Sequence, residues 1–208
     1  DGNQVAFTWY RPDEDNGDIY IKIIGTESMF PLTTNAGDEY NPSWSPDGRT
    51  IAFKRASSDN TYDVFLISAL GGPMRRLPNT ITRHYYYPWR TTLNWHPNRE
   101  FLVVNGLASK DEPESLFMIS VQSGERIRLT NPPPDVTYGD GRAVFSSDGR
   151  KLIFLRIVSE AVMDLYLLEL SESGKVLDEP KRITFQETDH YGAVFLPGDK
   201  EIVYSADS

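Results

Sequence analysis

Asn41–Phe53 reads NPSWSPDGRTIAF, and the rest of the chain keeps rewriting it. The phrase returns as TLNWHPNREFLVV at Thr92–Val104, as RAVFSSDGRKLIF at Arg142–Phe154 and as AVFLPGDKEIVY at Ala193–Tyr204. The opening DGNQVAF at Asp1–Phe7 is the same phrase without its front. The turn marks are Asp1-Gly2, Asp47-Gly48, Pro97-Asn98, Asp148-Gly149 and Gly198-Asp199. They recur at a spacing of about 50 residues, which is the mark of a repeat architecture.

Each copy runs through the same events. A short aromatic-bearing strand (PSWS, TLNW, RAVFS, AVFL) meets a turn. In the turn, Pro46 presets the backbone, Asp47 bonds its own downstream amides and Gly48 accepts a left-handed conformation. A second strand follows (VAFTWY, TIAFKR, FLVVNG, KLIFLR, EIVYSA), then a polar loop, then a third strand (DIYIKII, DVFLISA, SLFMISV, DLYLLEL). The third strands mix β-branched, aromatic and Leu residues with little alternation, as strands covered on both faces do. A fourth strand (FPLTT, RRLPN, IRLTN, KRITF) closes the unit. The frequent turn residues exclude helices. One four-stranded sheet cannot cover both its faces, but neighbours around an axis can, and the result is a β-propeller. The predicted fold is therefore all-β, a single propeller segment over residues 1–208 built of four-stranded antiparallel blades. Its repeats fall near 1–46, 47–97, 98–147 and 148–197, with a fifth begun at 198–208. The third copy lacks the turn Gly and the fifth transposes it, so those two turns are expected to differ in type.

The run WSPDGRTIAF at Trp44–Phe53, with DVFLI at Asp63–Ile67 and GGPMRRL at Gly71–Leu77, resembles the WD40-like PD40 repeat of TolB-type propellers. The resemblance covers essentially the whole chain. It extends to propellers attached to bacterial winged-helix regulators and kinases, and to the non-catalytic propellers of prolyl-oligopeptidase-like peptidases. It implies a ring of about six to eight blades and an extracytoplasmic, periplasm-like location. The chain opens on a second strand and closes on one, which is read as a segment of a longer ring. A homodimer closing one ring is the second reading.

Composition narrows the function. Hydrophobic residues make up 39% and aromatics 12% of 208 residues, too apolar for a disordered chain. No apolar run approaches a membrane span, so no membrane insertion of this segment is expected. The net charge is −9 with no basic cluster, which argues against a nucleic-acid face. There is no Cys, so disulfides, thiol catalysis and Cys-based zinc sites are excluded.

The sequence has no G-x-S-x-G, no H-E-x-x-H and no P-loop. The histidines, His84, His96 and His190, stand far apart. His96 replaces the Ser before the turn Pro and is read as structural. No cofactor is expected. The loop RPDEDNGD at Arg11–Asp18 gathers Asp13, Asp15 and Asp18. It is a poor match to a calcium loop, because the Gly falls one place early and the bidentate Glu is missing. It is read as a solvated acidic hairpin loop.

The loops that enter the inner strands read NAGDEYNP, ITRHYYYPWRTT, PPPDVTYGDG and QETDHYGA. In a propeller they share one face around the channel mouth. Tyr and Arg dominate binding hot spots, so the candidate binding residues are Tyr40, Arg83, His84, Tyr86, Tyr87, Trp89, Arg90, Tyr138, Asp140, Asp189, His190 and Tyr191. Tyrosines at one repeat position also suit a purely packing role, capping blade ends. Trp44, Trp95, Phe145 and Phe195 share a repeat position and are read as core between blades. The function expected is a non-enzymatic binding or sensing module for a protein, peptide or small ligand. The alternatives are a metal-dependent polysaccharide lyase or hydrolase, and a gating or scaffold propeller of a larger peptidase, kinase or regulator.

Overall fold

The computed structural model describes residues 2–12, 16–57, 61–78, 82–83, 92–109, 111–159, 162–185 and 190–206. The sequence-predicted candidates Asp13, Asp15, His84, Tyr86, Tyr87, Trp89, Arg90 and Asp189 lie outside the described residues, as does the side chain of Arg83. The chain forms two compact units, Asp1–Trp89 and Arg90–Ser208.

The first unit holds two sheets. β1 (Gln4–Tyr10), β2 (Gly17–Ile23) and β3 (Met29–Pro31) form one, in that order. β4 (Glu39–Trp44), β5 (Thr50–Ala56), β6 (Thr61–Ser68) and β7 (Arg75–Arg76) form the other, with β8 (Thr82–Arg83) also pairing β6. Ile19, Ile21 and Leu32 of the first sheet share a buried cluster with Ile51, Phe53 and Ile67 of the second.

The second unit repeats the plan. β9 (Leu93–Trp95) to β12 (Arg126–Arg128), through β10 (Phe101–Gly106) and β11 (Ser115–Ser120), make one four-stranded sheet. β13 (Gly139–Phe145), β14 (Lys151–Ser159), β15 (Val162–Glu169) and β16 (Lys181–Arg182) make a second. β17 (His190–Phe195) and β18 (Ile202–Ala206) pair as a third. One cluster joins Val103, Leu116 and Met118 to Phe145, Leu152 and Phe154, and another joins Ile153 and Leu155 to Ala193. The strand pairings are antiparallel and, apart from β8 on β6, in sequence order within each sheet, which is the blade pattern read from the repeat. The third strands β2 and β11 are buried almost throughout, as their unbroken apolar runs require.

The turns explain why copies with different letters fold alike. The bonds Gly48 N–H to Ser45 C=O, Arg99 to His96, Gly149 to Ser146 and Asp199 to Leu196 are all 2.8–3.0 Å. The residue donating each bond is left-handed, at φ 68, 69, 72 and 55. The third turn therefore keeps its shape without Gly, against the expectation, because Asn98 and His96 replace the polar groups of the others. Asn98 Oδ1 accepts the Glu100 amide at 3.0 Å, as Asp47 and Asp148 accept those of Arg49 and Arg150. The fifth turn does differ: Gly198 also has positive φ, 91°, as the position after Pro in a type II turn demands.

The fourth strands are shorter than predicted, two or three residues each. A recurring clasp holds them. Asp63 binds Arg76 at 2.7 Å and Asp164 binds Arg182 at 2.8 Å, while Ser115 accepts from Arg128 at 2.9 Å. Fourth-strand guanidinium groups thus hold Asp63 and Asp164 of the third strands. Threonine hydroxyls one step on complete the edge: Thr33, Thr130 and Thr184 each accept a third-strand amide at 2.9 Å.

Side chains also tie one repeat to the next. Asn94 donates to the Ala143 carbonyl at 2.7 Å, and Asp199 accepts the Ser147 amide at 2.9 Å. His96 lies edge-on to Phe145, ring centres 4.8 Å apart, with Nε2 3.3 Å from the Gly149 carbonyl. Trp95 and Phe145 are buried, Trp44 and Phe195 pack on the clusters, and their reading as core holds.

Candidate binding face

The residues five places before Trp44, Phe145 and Phe195 are Glu39, Asp140 and His190. All three are buried. Glu39 sits opposite Arg55 in the β4–β5 register, and Asp140 opposite Arg156 in β13–β14. Arg55 Nε donates to Glu39 Oε1 at 2.9 Å. Arg156 forks onto Asp140 through two parallel bonds, Nε to Oδ1 at 2.8 Å and Nη2 to Oδ2 at 2.9 Å. Burial pushes both carboxyls above the ordinary carboxylate range, against the pull of the guanidinium and of Thr33 or Thr130. The Arg156 guanidinium also stacks 4.6 Å over Tyr166. Asp140, a candidate for the mouth, is thus turned inward and fully engaged.

His190 occupies the same position with Ala206 opposite. Its Nδ1 lies 2.6 Å from the Met163 carbonyl, and its ring centre is 5.5 Å from that of Tyr204. Its Nε2 is buried and has no hydrogen-bond partner among the described residues. Its neighbour Tyr191 is 37% exposed, whereas Tyr138 packs on the cluster of Ile153 and Leu155. Asp18 is buried on β2, 3.7 Å from Arg11 and 3.5 Å from the Thr33 hydroxyl that donates to it. It is part of a blade rather than a solvated loop. Among the described residues no group of three or more His, Asp or Glu is placed to hold a metal ion.

The first unit assembles something the loop reading did not foresee. Tyr40, half-buried at the start of β4, lies between Tyr10 at the end of β1 and Tyr62 at the start of β6. Ring centres are 6.3 Å apart for Tyr10–Tyr40 and 5.5 Å, edge-on, for Tyr40–Tyr62. The Tyr10 and Tyr40 hydroxyls are hydrogen-bonded to each other. Buried Lys54 brings its ammonium 6.0 Å from the centre of the Tyr62 ring. Asp38 stands at the rim and accepts the Gly17 amide at 2.8 Å. Burial, reinforced by Asp38, raises all three phenols above their ordinary 10.0. They therefore stay neutral donors at any physiological pH. Tyr10 is 49% exposed, so the cluster grades from core to solvent. Tyr10 and Tyr62 were missed because they lie on the far ends of second and third strands. The signal available was that these ends share a side of the blade with the loop entering the inner strand.

No family model matches the chain. Among curated proteins it is similar to the uncharacterized peptidase YuxL of Bacillus subtilis, 26% identical over 192 residues, covering 77% of this chain and 29% of that protein. Among solved structures it superposes on TolB from Acinetobacter baumannii with a TM-score of 0.74 at 16% identity, over 99% of this chain and 46% of that one. The fold is a TolB-like β-propeller. The β-propeller domain of the Trilobed protease from Pyrococcus furiosus shares it, with a TM-score of 0.57 at 17% identity, over 93% of this chain and 57% of that one. This TolB-like chain spans less than two thirds of the length of each of these relatives.

Proposed function

We propose that this TolB-like segment is a non-enzymatic binding module that presents the strand-entry side of its blades to a peptide or protein. The observation that carries the reading is the Tyr10–Tyr40–Tyr62 cluster. It exposes the Tyr10 ring and part of Tyr40 on the sheet, backed by buried Tyr62 and Lys54. Tyrosine gives such area at low entropic cost, and rigid placement limits what binding must order. An extracytoplasmic location accompanies this reading. The test is a defined random-peptide array probed with the purified chain. Selected peptides should lose more than about tenfold in affinity on Tyr10→Ala, and further on replacing Tyr86, Tyr87 and Trp89 together by Ala. Peptides bound equally by all variants would place the binding surface elsewhere.

A second reading is favoured by the similarity to YuxL and to the Trilobed protease propeller. In it the segment is the accessory propeller of a peptidase and screens what reaches a catalytic domain. Fluorophosphonate labelling of the native full-length gene product separates the two. Labelling of a serine there, with none on the 208-residue chain, supports the peptidase reading.

A further inference from the structure

The strand-entry side of the first unit gathers Asp18, Asp38 and Glu39, and two of the three are matched by a cation. Asp18 lies 3.7 Å from Arg11, and Glu39 is bonded by Arg55. Asp38 accepts the Gly17 amide through Oδ1 at 2.8 Å, and among the described residues no cation pairs with it and nothing donates to its Oδ2. It is half-buried, so the charge is fixed in place without being sealed off. The sequence joining Tyr10 to Gly17, RPDEDN, adds three acids and one arginine, and that arginine is the one beside Asp18.

Tyrosine rings stand next to this unmatched carboxylate. Tyr10 pairs with Gly17 across β1 and β2. A Cβ on Gly17 would sit 2.9 Å from Tyr10 Cζ, so the residue that anchors Asp38 also makes room for the Tyr10 ring. Tyr40 follows Asp38 by two residues, and its ring centre is 6.3 Å from that of Tyr10. Burial first, and the Asp38 charge in addition, holds the Tyr10, Tyr40 and Tyr62 phenols above their ordinary range, so the carboxylate acts on all three. Lys54 stands at the other end, wholly buried and 6.0 Å from the centre of the Tyr62 ring. The cluster thus runs from a positive charge in the core to a negative one at its rim.

We propose that this site takes the basic side chain, Lys or Arg, of a polypeptide partner, which lies against the Tyr10 and Tyr40 rings and bonds Asp38 Oδ2. The proposal rests on the reading of the cluster as a binding face and names what that face selects. Ring faces attract cations within about 6 Å of their centres, and the spare carboxylate oxygen supplies a charge-assisted bond. An acidic partner would be repelled by both. The net charge of −9 also favours encounter with a basic partner.

The test starts from the tightest peptides that the native chain selects on the array. They should carry Lys or Arg more often than the array as a whole. Replacing that Arg by citrulline, or that Lys by acetyl-lysine, removes the peptide's charge and leaves the protein untouched. On the native chain the replacement should lower affinity about tenfold, read by fluorescence anisotropy. Asp38→Asn keeps an oxygen for the Gly17 amide and loses the charge, and on that variant the same replacement should cost about twofold at most. Peptides that bind through Tyr10 without a basic residue, or a replacement that costs the same on both chains, would overturn the proposal and leave the binding module standing. An array that selects no peptide, or only peptides indifferent to Tyr10→Ala, would remove the binding face and this proposal with it.

Discussion

Asp140 and Arg156 meet as a closed fork, with bonds of 2.8 and 2.9 Å, between the inner and second strands of one blade. The carboxylate side chain is wholly buried and the guanidinium 11% exposed. The pair is not a surface ornament, and its worth depends on both members staying.

Arg156→Met leaves a buried carboxylate with no cation, which costs about 3–5 kcal/mol. Urea unfolding should show that loss. Combining Asp140→Leu with Arg156→Met should recover most of it, because apolar residues of similar volume replace a pair rather than break one.

Gly149 and Gly48 occupy the same left-handed turn position, at φ 72 and 68. A Cβ on Gly48 meets nothing within 4 Å, whereas one on Gly149 runs into the His96 ring. Gly48→Ala should cost about 1–2 kcal/mol, the backbone strain alone. Gly149→Ala should cost more, and the excess should vanish in the His96→Ala background. A double-mutant cycle on thermal unfolding measures that coupling.

Tyr10, Tyr40 and Tyr62 have folded-state pKa values raised above 10.0, chiefly by burial. The unfolded chain releases these protons first, so the stabilising contribution is complete below pH 10 and is lost as pH rises above it. Ultraviolet titration should therefore show these three of the 11 tyrosines ionising only as the chain unfolds. Tyr40→Phe should move alkaline unfolding to higher pH. Unfolding insensitive to pH above 10 would contradict the assignment.

Asp148 shows the opposite sign. Its carboxyl is held below the ordinary 3.8 first by the Ser146 hydroxyl and then by the Arg150 amide. That contribution is present above the unfolded pKa and disappears as pH falls through the folded one. Ser146→Ala should raise the Asp148 midpoint in a carboxyl-carbon NMR titration.

The blade plan was legible because hairpin chemistry is local: Pro, Asp and Gly at fixed offsets announce a turn wherever they stand. Turn type was less so. Arg99 adopts φ 69 because the surrounding hydrogen bonds impose it, and no residue-level rule picks an Arg for that conformation. The binding face was read by composition, and composition does not tell inward from outward. Asp140 and His190 looked like loop residues, yet counting back from Phe145 and Phe195 puts them in line with Glu39, whose partner is Arg55. Tyr40 stood in the loop reading, but Tyr10 and Tyr62 reach it only through pairing across strands.

Asn94 reaches the Ala143 carbonyl across 49 residues, His96 reaches Gly149 across 53, and Ser147 reaches Asp199 across 52. Each of these links is satisfied by the arrival of the very next repeat. A growing polypeptide leaving the ribosome would thus secure each new blade onto the last as soon as it emerged, without waiting for distant sequence. Assembly in that order keeps loop-closure distances constant along the chain. The most recently made face is then always the one still seeking its neighbour.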